Sequence, residues 1–209
     1  MHTNQLSKFK NVIFDLGGVL IDWNPRYLYR QLLPDEAATE QFVQNMFTEE
    51  WSNKEDSGHL SLIEELYELC QKDPCKAELY RAYHARWPET LSGEISGTVD
   101  ILKQLKQNQI NLYALTNWSY ETFPYARQKF PFLNDFLDIV VSGEEKLVKP
   151  HREIYELLLR RNNVQAHESV FVDDRLVNVQ GAEAVGIKGV HFTSPEELRD
   201  VLLELGILS

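Results

Sequence analysis

Apolar residues fall into two rhythms along this chain. Between positions 26 and about 87 they recur at three- and four-residue steps: Tyr27, Leu28, Leu32 and Leu33; Phe42, Val43, Met46 and Phe47; Leu62, Ile63, Leu66, Leu69 and Cys70; Leu79, Tyr80, Tyr83 and Trp87. That spacing, with polar residues between, predicts a bundle of three or four helices. Pro34-Asp35 and Asp73-Pro74 suit helix starts, and the polar, glycine-bearing stretch 53–61 reads as a loop. Trp51, Tyr67, Tyr80, Tyr83 and Trp87 follow the helical spacing and are assigned to the bundle core.

From Gly93 onward the rhythm alternates. A helix carrying Val99, Ile101, Leu102 and Leu105 precedes an apolar strand at 110–115, which ends in Thr116-Asn117. A helix over about 120–130, a strand at 138–141, the polar loop SGEEKLVKP and a helix at 152–161 follow. A strand at 169–172 then ends in Asp173-Asp174; a helix to Val185, a strand at 187–191 and a helix from Pro195 complete the pattern. With the apolar run Val12, Ile13, Phe14 as first strand, this alternation predicts an α/β fold, a doubly wound parallel sheet with right-handed crossovers. The helical bundle is inserted after the first strand, so residues 1–22 and 93–209 form the core and 23–92 the insert.

Composition narrows the function classes. A chain of 209 residues, 43% hydrophobic and 25% charged, suits a globular protein with one good core and a modest second lobe. A formal net charge of −11 argues against nucleic acid and anionic membranes as partners, and no protein partner is evident. Cys70 and Cys75, with no other cysteine, make neither a disulfide framework nor a zinc site, which points to a reduced, cytoplasmic protein. The polar start, MHTNQLSKFKN, holds no apolar signal segment, and no run reaches membrane-spanning length.

The chemistry gathers at the strand ends. Asp15 closes the first strand, and Gly17 and Gly18 let the backbone turn sharply and approach a bound anion. Thr116-Asn117, Lys149 and Asp173-Asp174 follow the second, third and fourth strands, and in a parallel sheet these ends share one edge. Two or three carboxylates, one lysine and a Thr/Asn pair converging there make a metal–phosphate site. Carboxylate oxygens suit Mg²⁺; lysine and the Thr or Asn donors would hold phosphate oxygens; a carboxylate facing phosphorus can attack it. Plainer roles exist for each. Thr116-Asn117 and Asp173-Asp174 are good helix caps, and Lys149 could be a surface lysine with Lys146 in its place.

The ordered segments FDLGGVL, LTNWS, VKP and FVDDRLVNVQGAEAVG resemble the four motifs of the haloacid dehalogenase-like (HAD) hydrolases, along almost the whole chain. The helical insert resembles the cap that many members carry after the first strand. The resemblance implies Asp15 as nucleophile, Thr116 and Asn117 as ligands of the transferring group, and Lys149 as bridge between nucleophile and phosphate. It implies a Mg²⁺ site at Asp15, Asp174 and the backbone carbonyl of Gly17, with Asp173 beside it and Asn178 orienting it.

Gly17 departs from the pattern. Most phosphatases of the family have a second aspartate there, acting as general acid to the leaving alcohol and then as base to water. General acid–base assistance is typically worth about 10²–10⁴-fold. The start of this chain resembles the family's bacterial α-glucose-1-phosphate phosphatases, which also carry glycine there, so an anomeric sugar phosphate is the first substrate expectation. Trp23 and Asn24, where the insert begins, are expected to line the substrate pocket, and Asp56 or His59 could supply the missing acid when the cap closes.

The expectation is therefore a Mg²⁺-dependent phosphatase of a small phosphorylated metabolite, working through an aspartyl-phosphate. A 2-haloacid dehalogenase of the same superfamily is the alternative enzyme. It needs no metal and typically has small neutral residues where this chain has Asp173-Asp174, so metal dependence separates the two. A non-catalytic metabolite-binding domain would have no reason to keep Asp15, Lys149 and Asp174 together.

Overall fold

A computed structural model describes residues 8–208; the polar stretch 1–7 lies outside them. Strand β1 (Asn11–Phe14) is buried along its whole length, and a second short strand, β2 (Ile21–Trp23), leads into the helical insert. The insert contains α1 (Arg26–Tyr29), α2 (Glu36–Met46), α3 (Glu49–Ser57), α4 (Leu62–Lys72) and α5 (Ala77–Arg86). The chain returns through β3 (Leu91–Glu94), which pairs antiparallel with β2. Then come α6 (Ser96–Gln107), β4 (Asn111–Thr116), α7 (Phe123–Lys129), β5 (Asp138–Val141) and the one-turn helix α8 (Ser142–Glu145). The last elements are α9 (Arg152–Asn162), β6 (Ser169–Asp173), α10 (Leu176–Ala184), β7 (Lys188–His191) and α11 (Pro195–Glu204).

The five core strands pair in parallel in the order β5-β4-β1-β6-β7. Alternation along each strand sends side chains to opposite faces. Val12 and Phe14 join Leu112, Ala114, Val170 and Val172 in the core under α6 and α11, while Ile13, Tyr113, Leu115 and Phe171 pack against Ile154, Tyr155 and Leu158 of α9. Both faces are covered, so the expected doubly wound α/β sheet is the fold observed. β1 lies at its centre, flanked by β4 and β6, and the reversal of strand order there opens a crevice beyond its carboxyl end. No helix among the described residues is long and apolar enough to cross a membrane.

The structure differs from the sequence reading at α3, at Tyr67 and at the start of α7. The stretch expected as a loop at 53–61 is helical as far as Ser57. Thr48 caps α3 by accepting the Trp51 N–H at 3.2 Å, and Gly58 ends it with φ 63°. The two residues that α3 buries are Trp51 and Glu55, so one inward position is charged and the apolar period disappears. Tyr67 is not core: it is 65% exposed, whereas Tyr29, Phe42, Phe47, Trp51, Tyr80 and Tyr83 form a chain of ring contacts with centroids 4.6–6.1 Å apart. The helix expected from Tyr120 starts at Phe123, because Pro124 fits only the first turn.

Candidate active site

Asp15 continues the β1 ladder by one residue, its N–H donating to the Val172 carbonyl at 2.8 Å. Its carboxylate accepts the Leu16 N–H at 2.7 Å and lies 2.9 Å from Lys149 Nζ. Lys149 is only 1% exposed, and its ammonium also donates to Asp173 Oδ2 at 2.7 Å, so it ties the end of β1 to the end of β6. Asp173 is fully buried and saturated: Asn178 Nδ2 donates to it at 3.0 and 3.1 Å, and the Arg175 N–H at 2.8 Å. Asn117 holds the lysine's backbone. Its Oδ1 accepts the Lys149 N–H at 2.9 Å and its Nδ2 donates to the Lys149 carbonyl at 3.1 Å, so this side chain fixes the loop that carries the cation. Lys146, the substitute, is exposed.

The glycines contribute space. Gly18 has φ +75°, and a Cβ there would stand 2.6 Å from Asp174 Oδ2; its N–H donates to the Ile21 carbonyl at 2.9 Å. It therefore gives room to the Asp174 carboxylate while its amide serves the turn. A Cβ on Gly17 would meet nothing within 4 Å.

Charge is unbalanced at this edge. Carboxylate oxygens of Asp15, Asp173 and Asp174 lie within 4.8 Å of one another, against the one ammonium of Lys149. Burial drives the Asp15 carboxyl well above its usual range; Lys149 pulls it back, and Asp173 and Asp174 push it up further. Asp174 is raised likewise, by burial and then by Asp173. Burial alone would lower Lys149, but Asp15 and Asp173 outweigh it and keep the ammonium charged. Buried carboxylates in excess of their cation are costly. With Asp173 saturated, oxygens of Asp15 and the exposed Asp174 remain for a ligand, and a hard divalent cation with oxygen preference fits this donor set.

A cavity of about 330 Å³ opens over these residues. Asp15, Gly17, Thr116, Asn117, Lys149 and Asp174 line its floor; Trp23, Phe47, Tyr83, Trp87 and Trp118 give it aromatic walls; Ser52, Glu55 and Asp56 reach it from α3. Thr116, at the end of β4, is 1% exposed. Of the four residues expected from the insert, Trp23 and Asp56 line the cavity. Asn24 does not, since its Oδ1 accepts the Arg26 N–H at 3.0 Å at the start of α1. His59 is exposed beyond the end of α3 and off the cavity wall.

The sequence alone assigned no role to Arg175, Glu55, Trp118 or Ser142, although Glu55 lies in the 53–59 stretch expected near the site. Trp118 and Arg175 stand inside the motif segments, directly after Asn117 and Asp174, which is a usable signal; Glu55 and Ser142 matter only through tertiary contacts.

The profile of haloacid dehalogenase-like hydrolases matches residues 12–192 of this chain. The sesquiterpene phosphatase astK of Aspergillus oryzae is 29% identical over 88% of this chain and 90% of its own length. A phosphorylated carbohydrates phosphatase of Thermotoga maritima is 27% identical over 86% of this chain and 83% of its own. Among solved structures, a HAD family enzyme from Bacteroides thetaiotaomicron superposes with a TM-score of 0.73 at 20% identity, covering 93% of this chain and 98% of that one. The same enzyme is solved with magnesium and inorganic phosphate, with a TM-score of 0.68 at 20% identity over 89% and 95% of the two chains.

Proposed function

This chain belongs to the haloacid dehalogenase-like hydrolases, and from that premise we propose that it is a Mg²⁺-dependent phosphatase acting on a small phosphorylated metabolite. The observation that carries the reading is the clustering of Asp15, Asp173 and Asp174 around one buried lysine. A 2-haloacid dehalogenase attacks carbon without a metal and has no use for this excess of carboxylates, which would only repel one another. The phosphatase names of the two relatives, and the magnesium and phosphate bound by the Bacteroides enzyme, agree with it.

Asp15 attacks phosphorus in line, one carboxylate oxygen forming the new O–P bond as the bond to the leaving oxygen breaks. Lys149 restrains Asp15 in that position and, with Thr116, offsets the charge on the phosphoryl oxygens. Asn117 holds Lys149 by its backbone, and Asp173 and Asn178 complete the lysine's support. Gly18 makes room for the Asp174 carboxylate beside the turn that follows Asp15. Asp15, Asp174 and the Gly17 carbonyl would hold Mg²⁺, which when bound neutralises the carboxylates and polarises the phosphoryl group. Water then hydrolyses the aspartyl-phosphate and restores Asp15.

The helices over 26–86 serve as the cap that selects the substrate. Gly17 alone motivates an anomeric sugar 1-phosphate. The walls of Trp23, Phe47, Tyr83, Trp87 and Trp118 favour a second reading, the phosphate ester of an apolar alcohol, in keeping with the name of the Aspergillus relative, a sesquiterpene phosphatase. Phosphate release from glucose 1-phosphate, glucose 6-phosphate and farnesyl phosphate, with Mg²⁺ and with EDTA, tests both. Metal-dependent release is expected. Halide release from 2-chloropropionate in EDTA, with no phosphate from any ester, would make the chain a dehalogenase.

A further inference from the structure

An alkoxide leaves phosphorus slowly unless it is protonated as it departs, and the water that follows must lose a proton. Among the groups lining the cavity, Asp15, Lys149 and Asp174 are already committed, and a guanidinium such as Arg175 does not give up its proton. Glu55 is 9% exposed and turned among Asp56, Glu65 and Glu121, held by a hydrogen bond from the Tyr83 hydroxyl, which itself accepts the Trp87 indole N–H at 3.2 Å. Asp56 is different. It is half-buried on the cavity wall, and no hydrogen bond to its carboxylate is made among the described residues.

Its backbone, by contrast, is clamped to the core. Ser142 Oγ donates to the Asp56 carbonyl at 2.6 Å and accepts the Trp118 N–H at 2.9 Å, which links Asp56 to the segment carrying Thr116 and Asn117. Two residues on, Gly58 presses against the core so closely that a Cβ would stand 2.2 Å from the Gly143 carbonyl oxygen. A free carboxyl on a fixed backbone, lining the same cavity as Asp15 while position 17 carries none, is suited to proton transfer.

Resting on the phosphatase reading above, we propose that Asp56 is the general acid–base of the reaction. Protonated, it gives its proton to the leaving oxygen as Asp15 bonds to phosphorus, releasing the alcohol and leaving Asp56 as carboxylate. That carboxylate then takes a proton from water as the water oxygen bonds to phosphorus and the P–O bond to Asp15 breaks. Phosphate departs with Asp15 ionised and Asp56 protonated again. Burial pushes Asp56 up, with Lys149 and Arg175 pulling it down and Glu65 pushing it up, which favours the protonated form that the first step needs. Gly17 then no longer restricts the enzyme to good leaving groups.

The test compares wild type and Asp56→Asn, with Mg²⁺, on 2-glycerol phosphate and on p-nitrophenyl phosphate, whose leaving group departs unprotonated. For the variant, kcat/KM is expected to fall about 10²–10³-fold on glycerol phosphate and to stay within about threefold on p-nitrophenyl phosphate. On the latter, kcat falls with a burst of p-nitrophenol stoichiometric with enzyme, because water attack has lost its base. Retained p-nitrophenyl phosphate kcat/KM also shows that the variant is folded, and Asp56→Glu should recover part of the glycerol phosphate activity. An equal fall in kcat/KM on both esters without recovery in Asp56→Glu, or no fall on either, overturns the role of Asp56 while leaving the phosphatase standing. No phosphate release from either ester by wild type overturns both.

Discussion

The sheet edge and the helical insert face each other across one cavity but are built in opposite ways. At the edge, polar side chains hold one another. Lys149 spans Asp15 and Asp173, Asn117 clasps the lysine's backbone, and Asn178 saturates Asp173. In the insert the polar groups that matter stand apart from partners: the Asp56 carboxylate takes no hydrogen bond among the described residues, and both oxygens of the buried Glu65 lack one. The edge spends its hydrogen bonds on one rigid geometry, as a reacting centre needs. Within the insert the surface acids are paired, as Glu36 and Glu40 are with arginines, but Asp56 and Glu65 stand raised and unpaired, as groups that trade protons or meet a variable substrate must be.

The sharpest way to break this contrast is at Asp15. Asp15→Asn keeps shape and hydrogen-bonding capacity but removes the nucleophile, and phosphate release should fall by about 10⁴-fold or more with near-unchanged thermal unfolding. Next is Lys149→Met, which leaves Asp15 and Asp173 without their buried cation. Denaturant unfolding should show a loss of about 3–5 kcal/mol together with loss of turnover. A loss within 1 kcal/mol, roughly the size of a surface ion pair, would deny that the edge is held by its charges.

A third test addresses the insert through pH. Burial raises Glu65 from 4.5 to about 7, with Lys54 opposing and Glu68 and Glu121 adding to the rise. Between these values the folded chain binds more protons than the unfolded one, so Glu65's contribution is whole below about 4.5, fades as pH rises to about 7 and is constant above. Wild type should lose about 1–3 kcal/mol more between pH 5 and pH 8 than Glu65→Gln, measured by chemical denaturation. The smallest effect is expected from Gly17→Asp in the Asp56→Asn background. The open space around the Gly17 Cβ admits a carboxyl on the edge itself, and glycerol phosphate turnover should recover about tenfold. Recovery would place the two carboxyls in exchangeable roles on opposite sides of the cavity.

The same contrast explains what could be read from the sequence. The edge was legible because each part is local: Asp15 follows a run of buried β-branched and aromatic residues, Asp173 and Asp174 end another, and parallel topology alone brings the ends together. Lys149 was found as a motif member, yet its burial against Phe171 and its two carboxylates could not be inferred from a loop lysine. In the insert, helices α2, α4 and α5 followed from apolar spacing. Helix α3 did not, because Glu55 occupies an inward position, and its cap and terminator, Thr48 and Gly58, were the only local signals. Asn24 and Asp56 looked alike in sequence, as polar residues near the catalytic strand or in a nearby polar stretch. Only packing separates them, since the Asn24 side chain accepts the Arg26 N–H while the Ser142 contact holds the Asp56 backbone beside the cavity.

The most direct measurement is a chemical trap of the intermediate. Wild type mixed with p-nitrophenyl phosphate and Mg²⁺ is quenched in borohydride, which reduces an acyl phosphate to the alcohol, and the peptide carrying positions 11–22 is sequenced. Homoserine at position 15, formed only with substrate and absent from Asp15→Asn, is the expected result. Turnover with no reduced residue at position 15, or with the reduction at Asp56 or Asp174 instead, would contradict the assignment of Asp15 as the nucleophile.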